Sequence, residues 1–96
     1  MQTQSIVKTE QGKKIMSRLC RHWAHKCEVD QNENDALIQL PFGECRIAVN
    51  DSAMTTAIKV LEGWSVERAE KMVGSHLIRM AQKEPIDINW QRQVTT

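Results

Sequence analysis

Cys20-Arg21-His22-Trp23-Ala24-His25-Lys26-Cys27 is where the hydrophobic period of the chain changes. Upstream of it, Ile15, Met16, Leu19, Cys20 and Trp23 fall in one stripe when residues are turned by about 100° each. That pattern predicts a helix from Gln11 to about His25. Lys13, Lys14, Ser17, Arg18 and Arg21 lie mostly outside the stripe and read as its solvated face. Downstream, Cys27–Asp30 alternates apolar with acidic residues, the period of a strand. The stretch therefore closes a helix and opens a sheet. It also carries two of the three histidines and two of the three cysteines, so any chemistry should gather near it.

Working outward, Ser5–Thr9 reads as a short β-branched strand, preceded by a polar start over residues 1–4 that is expected to fray. Gln31–Asp35 is a turn by composition, and Ala36–Leu40 is the next strand. Pro41-Phe42-Gly43 makes a tight connection to Glu44–Asn50, where Cys45, Ile47 and Val49 share one face. After a turn at Asn50–Ser52, Ala53–Leu61 forms a longer strand, and strands joined by loops this short pair antiparallel. Ser65 reads as the cap of a second helix with an apolar stripe of Val66, Ala69, Val73, His76, Leu77 and Met80. Pro85 ends it near Lys83, and Ile86, Ile88 and Trp90 alternate as a last strand.

The expected class is α+β, in the order β-α-β-β-β-β-α-β. An antiparallel sheet with two helices on one face lets every apolar face be buried at once. The order also fits a TATA-binding-protein-like two-layer arrangement.

Ninety-six residues suffice for one domain, which the reading extends over the whole chain. Thirteen basic against twelve acidic residues argue against nucleic acid as a partner, since phosphate binding requires a basic excess. No apolar run approaches the roughly 20 residues of a membrane span. An odd number of cysteines without paired spacing fits a reducing compartment, so the expected location is cytoplasmic.

Three separated motifs, Cys20–Lys26, Leu40-Pro-Phe-Gly-Glu-Cys45 and Val73-Gly-Ser-His-Leu77, together with Trp90-Gln-Arg92, resemble a bacterial family catalogued as domain-of-unknown-function family 2218. The likeness covers nearly the whole chain. It implies a stand-alone domain of about this length, or one joined to siderophore-interacting flavin reductases. It also directs attention to His22, His25, Cys45 and His76, and it implies no established reaction.

Each of these residues has a bland reading and a chemical one. His76, near the centre of the second helix's stripe, reads as a neutral core histidine bonded to backbone or to the Ser75 neighbourhood, or as a ligand facing a groove between the helices. His22 and His25 are compatible with a shared metal, and with His76 would make a three-histidine site for iron or zinc. Cys20 and His22 point to opposite sides of their helix, which disfavours a Cys20/His22/His25/Cys27 zinc site. Cys45 reads as a small buried hydrophobe. Trp90 anchors the core or lies over a pocket mouth. The preferred reading is a binding domain for a metal, a metal complex or a protein partner, such as a siderophore-interacting reductase, in iron handling. The alternatives are a small enzyme using His76 or His22 as acid or base, and an interaction module working through the outer sheet face.

Overall fold

Alternation decides the architecture. One face of every long strand is buried: Thr3, Ser5 and Val7 in β1 (Gln2–Lys8), Ala36, Ile38 and Leu40 in β3 (Asp35–Leu40), Cys45, Ile47 and Val49 in β4 (Gly43–Val49), and Met54, Thr56, Ile58 and Val60 in β5 (Ala53–Val60). In the computed structural model, which describes residues 1–93, these strands join β2 (Glu28–Gln31) and β6 (Gln91–Gln93) in one antiparallel sheet. Its order is β2-β3-β4-β5-β1-β6. Two helices, α1 (Gly12–Trp23) and α2 (Val66–Ala81), cover the buried face and pack on each other. The α+β class and the element order are those read from the sequence.

The α1 stripe is the expected one: Ile15, Met16, Leu19, Cys20 and Trp23 are all buried. α2 differs. Ser65 caps it as expected, accepting from the Arg68 N–H at 3.2 Å. Its buried side, however, is Ala69, Glu70, Val73, Gly74, Leu77 and Ala81, with Val66, His76 and Met80 only half-buried. The helix is rotated because its far side is also covered, by the chain that follows it. Ile86, Ile88 and Trp90 are half-buried against the core but form no ladder, which corrects the last strand: among the described residues its pairing is at Gln91–Gln93.

The first strand needs a matching correction. β1 begins at Gln2 because it lies between β5 and β6 and is paired on both sides there: Gln2–Gln4 face Gln91–Gln93 on one edge and Ala57–Lys59 on the other. Thr3 is fully buried at the start of this strand. Composition alone could not reveal a partner almost ninety residues away.

Glu70 fixes that edge. Its carboxylate accepts from Thr3 Oγ1 at 2.6 Å and from Arg92 at 2.8 and 3.2 Å, linking α2 to β1 and β6. The Arg92 hydrogen bonds hold the Glu70 carboxyl below the ordinary glutamate range, with help from Thr3 and the guanidinium charge, although burial pushes the other way. A depressed carboxylate stabilises the fold above its unfolded pKa of about 4.3 and loses that contribution as pH falls through the folded value. Glu70→Gln should therefore cost about 1–3 kcal/mol at pH 7 in urea unfolding. The gap between variant and wild type should shrink below about pH 4. A gap that stayed constant with pH would show that the charge contributes nothing.

Two glycines separate joinery from freedom. Gly43 lies at φ +145°, and a Cβ there would sit 1.9 Å from the Lys59 carbonyl oxygen, inside the β4–β5 ladder. A Cβ on Gly74 would meet only Trp90 and Ile88, at 3.6 Å and beyond. Gly74→Ala should accordingly raise stability by about 0.5–1 kcal/mol in the same urea assay. Gly43→Ala should lower it by several times that amount, roughly 3 kcal/mol or more.

Candidate functional site

One hydrogen bond ties the two helices together near the end of their seam. Arg18 Nη1 donates to the Met80 carbonyl at 2.8 Å, a carbonyl left over at the C-terminal end of α2. One turn further along α1 and one turn back along α2, His22 and His76 come together with ring centroids 5.3 Å apart. The pairings 18–80 and 22–76 show the helices running antiparallel. Trp23 lies beside the same imidazole, 5.0 Å from His76 between centroids, and is itself buried.

His76 has a defined tautomer. Its Nδ1 is 2.7 Å from the Met72 carbonyl, which can only accept, so Nδ1 carries a proton and Nε2 is the nitrogen that holds the lone pair whenever the ring is neutral. A backbone carbonyl holding one ring nitrogen is the usual support of a ligating imidazole. His76 is half-buried rather than a core residue, so the core-histidine reading is right about the backbone bond and wrong about the burial. His22 is exposed.

His25 does not join them. α1 ends at Trp23, two residues before the expected end, and His25 stands exposed in the turn that follows. Among the described residues, no group of three or more His, Cys, Asp or Glu side chains is placed to hold a metal ion. The expected His22/His25/His76 set is thus reduced to the His22–His76 pair, because the helix unwinds before His25 can share its face.

Cys45 is fully buried on β4, and burial together with the neighbouring Cys20 sulfur pushes its thiol up to about 12. Burial raises Cys20 as well. Both are core residues rather than nucleophiles. Trp90 packs its ring against Gly74 on α2, away from the histidine pair, and closes the core rather than a pocket mouth. With three free thiols, Ellman's reagent should titrate the half-exposed Cys27 rapidly, and Cys20 and Cys45 only on unfolding.

The outer sheet face exposes Ile6 and half-exposes Leu37 among polar and small residues. Larger apolar exposure lies at the end of the sheet instead. There Met1, Leu61 and Trp64 are each about half exposed, and they border a depression of about 390 Å³. No period marked that cluster, because Met1 precedes β1 and Leu61 and Trp64 lie in the loop between β5 and α2. Among the described residues, no helix is long and apolar enough to cross a membrane.

A family model described as an uncharacterized protein conserved in bacteria (DUF2218) matches residues 4–91. Among solved structures, the chain is similar to the NMR structure of PA4090 from Pseudomonas aeruginosa, with 29% sequence identity, a TM-score of 0.75 and 94% of each chain covered. No curated protein matches.

Proposed function

We propose, for a chain that belongs to the uncharacterised bacterial family DUF2218, that it is a binding domain whose ligand sits on the His22–His76 pair. The observation that carries this reading is the 2.7 Å contact of His76 Nδ1 with the Met72 carbonyl, which makes Nε2 the ligating nitrogen of the neutral ring, beside a second imidazole. Two ligands of this kind suit a transition metal, with bonds of about 2.0–2.1 Å for zinc. A pair leaves the remaining positions to another molecule. The ligand is accordingly a metal complex, in which a chelator or a partner protein supplies the other donors. The association with siderophore-interacting reductases that the resemblance implies makes iron handling in the cytoplasm the setting we favour, with such a reductase as partner.

The seam leaves His22 exposed and His76 half-buried, and neither histidine lines a described depression of about 260 to 620 Å³. Acid–base catalysis by His76 or His22 needs a substrate held against the ring. The lack of a described depression at the pair favours the binding reading over that one.

Native mass spectrometry with added Zn²⁺, Fe²⁺ or a labile ferric chelate tests it. One metal per chain should bind to wild type and to His25→Ala. His22→Ala and His76→Ala, folded by circular dichroism, should bind at least about tenfold more weakly. Binding that survives in both of those variants would remove the histidine pair from the reading.

A further inference from the structure

The net charge of +1 hides a segregation. Residues 12–26 contain five lysines and arginines and no aspartate or glutamate. Residues 28–45 contain five aspartates and glutamates and no lysine or arginine. The first block is α1 with its closing turn, and the second is β2, β3 and the start of β4. Lys13 leans across the border to Glu33 at 3.3 Å. That leaves Lys14, Arg18 and Arg21 without a carboxylate partner among the described ion pairs.

These three are spaced i, i+4, i+7, so they lie on one face of α1, with Ser17 beside them. They line a depression of about 380 Å³ together with Lys13 and a single carboxylate, Glu10. Like charges at this spacing repel and weaken a helix. The buried side of α1 is apolar throughout, so Lys14 and Arg21 take no part in the core. Arg18 is also held in place: one of its N–H groups is fixed on the Met80 carbonyl, which keeps the guanidinium at the depression at little further cost in rotamer freedom. Lys14 and Arg21, which make no hydrogen bond or ion pair among the described residues, are thus held at a repulsive spacing around a fixed guanidinium, the kind of local conflict where function is expected to show.

We propose that this face of α1 is a binding site for a small, multiply charged phosphate anion, gripped by Lys14, Arg18 and Arg21 with the Ser17 hydroxyl as an additional donor. Arginine fits phosphate oxygens bidentately, and two arginines one turn apart can take neighbouring phosphoryl groups of one ligand. The size of the depression fits a pyrophosphate or the phosphate tail of a nucleotide rather than a long polymer. The site is separate from the histidine pair, so His22→Ala should leave it intact.

The test is a titration of the ¹⁵N-labelled full chain with sodium pyrophosphate, with citrate at equal ionic strength as the comparison anion. Saturating amide shifts should centre on residues 12–22. Lys14→Glu and Arg21→Glu, both exposed positions, should each weaken binding about tenfold or more. Lys59→Glu, on the outer sheet face, should change it less than about twofold. Pyrophosphate should also raise the melting temperature of wild type and not of Arg21→Glu. Shifts spread over all surface cations, unaltered affinity in both α1 variants, or citrate binding as tightly as pyrophosphate would each overturn the proposal.

Discussion

The inward row of β4, Cys45, Ile47 and Val49, together with its neighbours on β3 and β5, makes an apolar surface that only a covering layer can remove from water. Both helices depend on that surface, and so does their relation to each other. α1 spans β2 to β5, α2 sits over the β5 side, and the line where they meet is fixed by what each must bury. The seam carrying His22 and His76 therefore follows from sheet alternation. The two imidazoles, fifty-four positions apart in the chain, meet because Leu19, Trp23, Val73 and Leu77 have to be buried together.

Much of this was legible in the residues. A period of 3.6 giving way to a period of two between Trp23 and Cys27 placed the first helix and strand, and the Ser65 cap placed the second helix. The sequence-based reading missed what depends on long-range pairing. β1 reaches back to Gln2 because β5 and β6 flank it, and α2 turns toward Glu70 and Gly74 because Ile88 and Trp90 cover that side. A glutamate in the middle of a helix reads as solvated. Only the presence of Thr3 and Arg92 around it, both remote in sequence, makes its burial affordable.

The stretches that carry the family likeness divide along the same line. Gly43 is a place where a strand backbone admits no side chain, Gly74 accommodates the Trp90 ring, and Arg92 ties the edge strand to Glu70. These are assembly roles. His22 is different in kind, since it is exposed and supports no neighbour's hydrogen bond among the described residues. The site was legible in part for the same reason: helical spacing could nominate His22 and His76, but the unwinding after Trp23 that separates His25 depends on tertiary geometry.

The placement of β1 between β5 and β6 also sets an order of events. The hairpins from β2 to β5 close between neighbours in the chain and can pair as soon as they are made. β1 cannot: its partners lie some fifty and ninety positions further along, as with Thr3 opposite Ile58 and Arg92. During synthesis β1 must wait for β5 before one of its edges can pair, and for β6, nearly ninety positions on, before the other can. Closing those two long loops costs more chain entropy than closing the hairpins, and until β1 docks the rim of β5 stays open to any other strand it meets.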